Sequence, residues 1–595
     1  MLELTAAEFY NIIYDHKPNG DVLIRYYQGR IEIQNVTIID PVTIDLNKLF
    51  QIFGTRPIKI NGVTFSENVV IKHTKDQIRT FDLDVAKSVF KKKLTLSGYF
   101  GHNITFANEV KIGSLDIQYS QVIGNFLISQ TDCKGKFNLI DCSFEKDFEL
   151  KNNTFNSRIE VIGGGYRQGL TFNSGNYNGK IEIKENPDKP NENPFFNGIE
   201  FFDGDYKQTV LISTGRSNED TFIKINNGTF HKAIHIKVND ITSQYKHELI
   251  HFNGGEYKGN ILIQAKDNNG NIKIEKGIFN QGIELKLKQH KGEINISGGT
   301  FQGNVVNVNN THLDNTFLIA GGKFEEGIIF SKSKFNRGFE ISGDTIFSKN
   351  FTIDKCHFNG FCIADTPQFN GFKITNQSIF TSQTEILGGD FLVQDTIIEG
   401  KTEFDNFKIS EGFFSKEFII KNCVFNDQFT IHEGSIFEGK LKIEESEFIS
   451  HFLIEGGTFK KSIKTSKNHF KQRYHINNGN FLNHQIFLNQ EKIDGSFGIE
   501  KGNIEKKVKL QRCTFSAAFY IAKEVLKDSL ELLEGVFIED MLKIDEEQIS
   551  IKINNTTFKT KLTIVDKKYL KSFIFEGSTD QLKKGLIKIS TKEIC

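Results

Sequence analysis

From about residue 130 the chain carries a beat. A large aromatic residue recurs every 11 or 12 positions, and apolar residues follow it at four and six places. Phe144, Phe155, Tyr166 and Tyr177 step by 11. Tyr257, Phe279, Phe301 and Phe324 step by 22, 22 and 23. Phe335, Phe347, Phe358, Phe369, Phe380 and Phe391 then follow at 11 or 12, and a second run extends from Phe414 to Phe481. The unit is plain in FNDQFTIHEGSIF (425–437), FEGKLKIEESEF (437–448) and FISHFLIEGGTF (448–459). Positions four and six places after the aromatic share one strand face, so Phe429 and Ile431 are predicted to point inward and Thr430 outward. Glycine pairs before the aromatic, as in SGGTF, AGGKF and EGGTF, are expected to make the corners.

A period of 11 with strand alternation is not a helical repeat. Two units make a coil of roughly 22–23 residues, in which like residues stack from coil to coil. The pattern resembles the parallel β-helix, or β-solenoid, proteins over about residues 60 to 580. The resemblance implies an all-β solenoid with Phe and Ile core ladders, and it is one of architecture: no functional family is picked out. The strict five-residue beat of pentapeptide-repeat proteins is absent, so their DNA mimicry is not carried over.

The expected layout is an N-terminal cap over 1–60, a repeat array over 61–565 with irregular first coils to about 110, and a C-terminal cap over 566–595. Thr5-Ala6-Ala7-Glu8 is a capping box that predicts a short helix over 5–15. NPDKPNENP (186–194) reads as a protruding loop, and IAKEVLKDSLELLEG (521–535) as a short helix interrupting the coils.

Composition agrees with short strands and tight turns: 57 Phe and 51 Gly stand beside 7 Pro and no Trp. Lys plus Arg equals Asp plus Glu at 74, so there is no global pull towards nucleic acid or membrane. No stretch approaches the roughly 18–20 apolar residues of a membrane span. The first residues lack a basic segment followed by an apolar one, which predicts a cytoplasmic protein. Cys142, Cys356, Cys423 and Cys513 each precede a ladder Phe by two residues, and Cys133 takes a ladder position. They read as reduced thiols buried at coil corners.

One stretch spells a different chemistry. HELIHFNGGEY (247–257) matches the zinc-peptidase pattern H-E-x-x-H through His247, Glu248 and His251. The pattern needs a helix, where positions i and i+4 share a face. Here Tyr257 continues the aromatic beat, Ile250 and Phe252 take the inward positions, and His251 between them should face solvent. On a strand His247 and His251 stand about 13 Å apart, too far to share an ion. The match is read as coincidence; no metal, cofactor or catalytic residue is assigned.

Charge becomes uneven late in the chain. Lys460, Lys461, Lys464, Lys467, Lys471 and Arg473, then Lys506, Lys507, Lys509 and Arg512, fall off the inward positions. They are the candidate contacts for an acidic partner or for phosphates. Carboxylates such as Asp354, Asp365, Asp395 and Asp405 are scattered over different coils, unlike a polysaccharide-cleaving site. The expectation is therefore a non-enzymatic cytoplasmic scaffold that docks on a protein partner. The richness in Lys, Asn and Ile suggests an AT-rich bacterial genome. The alternatives are a nucleic-acid-associated accessory factor of a bacterial defence or nucleoprotein complex, using the basic coils, and a carbohydrate-active β-helix enzyme.

Overall fold

In the computed structural model the described residues are 2–15, 25–27, 30–73, 82–186, 198–214, 222–238, 248–303, 306–482, 486–522, 525–539, 542–544, 550–554, 556–558, 562–564, 572–576 and 587–589. The chain divides into two compact units, Met1–Asn304 and Val305–Cys595. Each is a parallel β-solenoid. In the first, Phe148 pairs with Leu170 and Ile159 with Ile181; in the second, Leu441 pairs with Ile463 and Ile463 with Ile486. The coil is thus 22–23 residues. Its backbone N–H groups are satisfied by the coil beside it, which makes the repeat length a hydrogen-bonding requirement.

The aromatic beat becomes stacks of rings. In the first unit Phe155, Tyr177, Tyr206, Phe230, Tyr257, Phe279 and Phe301 form one continuous stack, with neighbouring centroids 4.3–5.7 Å apart. Cys133 precedes Phe155 in that row, as its spacing implied. In the second unit the ladder aromatics form two stacks. One runs Phe335, Phe358, Phe380, Phe404, Phe425, Phe448, Phe470, and the other Phe324, Phe347, Phe369, Phe391, Phe414, Phe437, Phe459, Phe481. Alternate beats of the sequence therefore belong to different stacks. Rings four places on meet the stack edge-on, as Phe429 meets Phe425 with centroids 5.1 Å apart. Each such pair adds about 0.5–1.5 kcal/mol beyond area burial.

The start of the chain is laid over the first coils. The capping box forms: Thr5 N–H donates to Glu8 Oε2 at 2.7 Å and Glu8 N–H donates to Thr5 Oγ1 at 3.3 Å. It opens helix α1 (Ala6–Asp15), whose Phe9, Ile12 and Ile13 are buried. Phe9 sits edge-on against Phe65, the ring that stacks on Phe90. A second helix, α2 (Leu46–Phe53), was not foreseen; Asp45 caps it by accepting from Asn47 N–H, and Gly54 closes it. The parallel ladder is already present at Leu2–Leu4, which pairs with Val36–Ile38. Its first coils are long, with Thr37 paired to Thr64 and Thr64 to Val89.

Two expectations are corrected. Residues 525–535 are not helical: Ser529–Leu533 is a strand paired with Val508–Gln511, because Leu530 and Leu532 take the inward positions of an ordinary coil. Thr430 is on the outward face as predicted, yet only 3% exposed, because Lys408 and Leu453 flank it on the adjacent coils. The loop over 186–194 lies almost wholly outside the described residues.

Coil corners show a pattern that no single coil reveals. The residue three places before the ladder aromatic adopts positive φ, and it is often not glycine: Lys332 (48°), Lys355 (53°), Lys401 (61°), Glu445 (53°), Lys467 (56°), Arg512 (55°). Two places before the aromatic lies a buried polar row, Thr311, Ser333, Cys356, Ser378, Thr402, Cys423, Ser446, Asn468, Glu491 and Cys513. Ser333 Oγ donates to Ser331 O at 2.8 Å and accepts from Thr311 N–H at 3.1 Å. Cys423 Sγ lies 3.3 Å from Lys421 O. Burial pushes the thiols of Cys142, Cys356, Cys423 and Cys513 up to about 12, so they stay protonated.

Glu491 is the odd member of that row. It is 2% exposed, and its two carboxyl oxygens accept from Asn468 N–H (2.8 Å) and Asn468 Nδ2 (3.1 Å). Burial raises its pKa to about 8. The folded chain therefore holds a proton that the unfolded chain releases above about pH 4.5. The stability this proton contributes is complete below that value and is lost as the pH rises through about 8. Urea unfolding followed between those limits is expected to show a loss on the order of a few kcal/mol that Glu491→Gln flattens. In the stack, Phe448→Ala is expected to cost about 3–5 kcal/mol, read as lost hydrogen-exchange protection in the coils around it.

Candidate functional site

HELIHFNGGEY forms a strand, Glu248–Tyr257, in parallel register with Ile223–Asn226 and Asn271–Phe279. Ile250 and Phe252 are fully buried, as the repeat predicted. His251 corrects the reading in one respect: it faces outward but is 8% exposed, because Lys224 and Lys273 flank it on the adjacent coils. Its Nε2 lies 3.0 Å from Glu275 Oε2. His247 lies outside the described residues. Among the described residues no three His, Cys, Asp or Glu side chains gather as metal ligands, and no helix is long and apolar enough to cross a membrane.

The late basic coils are mostly laced with carboxylates. Lys460 pairs with Glu438 at 2.7 Å, Lys467 with Glu445 at 3.6 Å and Lys471 with Glu447 at 2.7 Å. Arg473 pairs with Glu500, Lys507 with Glu531 and Arg512 with Glu534. Lys509 lies over the Phe487 ring, 5.1 Å from its centroid. Lys461, Lys464 and Lys506 are exposed and without a carboxylate partner among the described residues. Lys464 and Lys509 share one outward row, with Phe487 between them, and the other eight cations lie outside that row.

Arg473 also belongs to a closed cluster. The Tyr520 hydroxyl meets His475 Nε2 at 2.6 Å and Glu500, so the ring spans two coils. It lies over Gly498, where a Cβ would come within 2.5 Å of the ring. Burial, then the Arg473 charge, holds the His475 pKa below its usual value. The cluster resembles a clasp, since its polar atoms are turned on one another.

A different surface is open. It occupies one side of three consecutive coils in the second unit, over residues 310–363. His312, Lys334 and His357 stand in register, and the positive-φ residues Asn310, Lys332 and Lys355 lie two places before them. Together they line a recess of about 470 Å³. Lys332, Lys334 and Lys355 are exposed, with no carboxylate partner among the described residues. His357 Nε2 is buried without a hydrogen-bond partner, and burial, then the Lys334 charge, lowers the pKa of its imidazole.

A second recess of about 390 Å³ adjoins the first, lined by Asn336, Arg337, Glu340, Gly360, Phe361 and Ile363 among others. Asn336 links the two: its Nδ2 lies 3.1 Å from His312 Nε2 and donates to Asp314 Oδ1 at 2.6 Å. Phe361 is 59% exposed, the one phenylalanine among the exposed large apolar side chains of the described residues. It falls three places after a ladder aromatic, where the two preceding coils carry Thr316 and Gly338. Gly360 leaves the floor bare, since a Cβ there would meet the Arg337 backbone at 2.1 Å.

Comparison with protein-family models, curated proteins and solved structures finds no match. Metal analysis of the purified protein is expected to find less than one zinc per chain, and the same amount in His251→Ala. Stoichiometric zinc lost in that variant would contradict the strand reading of HELIH.

Proposed function

We propose that the protein is a non-enzymatic interaction scaffold, a bacterial cytoplasmic solenoid that docks on a protein partner through its outer face. The single observation that carries this reading is the open surface over residues 310–363. An exposed phenylalanine beside uncompensated cations is the composition of a binding anchor, where an aromatic supplies contact area and charge supplies orientation. A stacked core suits the role, because it holds the corners that carry such side chains between paired strands, with little backbone freedom to lose on binding. The nucleic-acid reading is supported by Lys461, Lys464, Lys506 and Lys509; the other six of those ten cations have carboxylate partners.

The test is affinity purification of the tagged chain from its host, with and without nuclease. The expected result is a stoichiometric protein partner that survives nuclease and is released by Lys332→Glu with Phe361→Asp. A partner lost on nuclease treatment, or released by Lys461→Glu with Lys464→Glu instead, would move the function to the basic coils. Recovery of no partner would contradict the scaffold reading.

A further inference from the structure

We infer that the surface over residues 310–363 is a binding site for an acidic peptide segment carrying an apolar side chain. The carboxylates lie on Lys332, Lys334 and Lys355, and the apolar residue lies on Phe361. This deepens the scaffold reading and rests on it.

The charge argument begins with the ladder. Elsewhere in this unit lysines find glutamates on the next coil, as Lys408 does with Glu385, Lys442 with Glu417 and Lys460 with Glu438. In the row His312, Lys334, His357, Ile379, a coil's neighbours bring no carboxylate. The Lys332 and Lys355 corners are about 4.8 Å apart along the ladder, so like charge is set beside like. Asp314 approaches the row through His312, and Asn336 and His312 already engage it. Glu340 lines the second recess together with Arg337. An arriving carboxylate would relieve the repulsion.

Length separates a peptide from a nucleic acid. The recess spans three coils, about 10 Å, and its lysines occupy two of them, which is the reach of about three extended peptide residues. The row of Lys334 then passes through Ile379 to Glu403. A nucleic-acid backbone tracked over several nucleotides would run from these lysines onto that carboxylate. A short acidic segment would not, and its apolar residue would reach Phe361 across Asn336 and Arg337.

The test is fluorescence anisotropy on the full chain. The probe is a short labelled peptide in which a run of Asp and Glu precedes Leu and Phe. Saturable binding is expected, weakened about tenfold or more when the acids become Asn and Gln, when Leu and Phe become Ser, or by 1 M salt. Lys332→Glu with Lys355→Glu, and separately Phe361→Ser, are expected to lose it at unchanged circular dichroism; Lys464→Glu is expected to keep it. Should the charge reversals not fold, Lys332→Gln with Lys355→Gln serves instead, and these changes touch exposed side chains only. Absence of saturable binding would overturn the proposal. So would equal binding of the Asn/Gln peptide, or tighter binding of labelled oligothymidylate abolished by the same variants. If the peptide fails while the partner from the host is still released by the variants at Lys332 and Phe361, the scaffold stands and the partner's chemistry is wrong. If neither responds, both readings fall.

Discussion

Everything in this molecule depends on one translation: the backbone of a coil hydrogen-bonds to the backbone of the next, 22–23 residues later in the regular coils. A parallel strand carries donors and acceptors on both edges, and no single coil can satisfy them alone. Once the coils pair, each inward residue stands over its own counterpart at the strand spacing. That spacing is close to the distance at which aromatic rings stack, which explains why phenylalanine could become the dominant core residue. The Phe448 ring lies 4.8 Å from both Phe425 and Phe470 because the ladder puts them there. Parallel stacking along the axis and edge-on contact across the coil then fill the interior without a helix to cover it.

The same translation governs the outside, with opposite electrostatic consequences. Outward residues also stand over their counterparts, so a side chain meant for solvent can be enclosed by its neighbours, as Thr430 and His251 are. Where a lysine and a glutamate alternate between coils, the face neutralises itself, and exposed pairs of this kind add little stability. Where a row repeats one sign, the repulsion stays until something else arrives. The late basic coils belong mostly to the first case, and the corner row of Lys332 and Lys355 to the second.

This contrast explains what could be read from the sequence. The ladders were legible because each aromatic announces itself every 11 or 12 residues, and the corner cysteines because they are rare. The polar row was not, since Ser333, Thr402 and Asn468 are common residues whose shared position shows only when coils are overlaid. Helix α2 was hidden by strands on both sides, although Leu46, Leu49 and Phe53 have helical spacing and Asp45 and Gly54 mark its ends. The open surface escaped for a deeper reason. A linear search finds charges that are neighbours in the chain, such as Lys460 and Lys461. Lys332 and Lys355 are 23 residues apart and adjacent in space, and Phe361 was one of 57 phenylalanines.

The fixed step also gives the chain something like a reading frame. Leu170 pairs with Ile199, seven residues beyond the interval that joins Phe148 to Leu170, and the ladder resumes with every inward residue still inward. The extra residues fall between the strands Ile181–Lys184 and Ile199–Phe202. A solenoid of this kind can therefore accept new sequence by whole coils, which lengthen it silently, or by extrusion at a corner, which leaves the frame untouched. An insertion inside a strand is neither, and it would throw every later ring out of its stack.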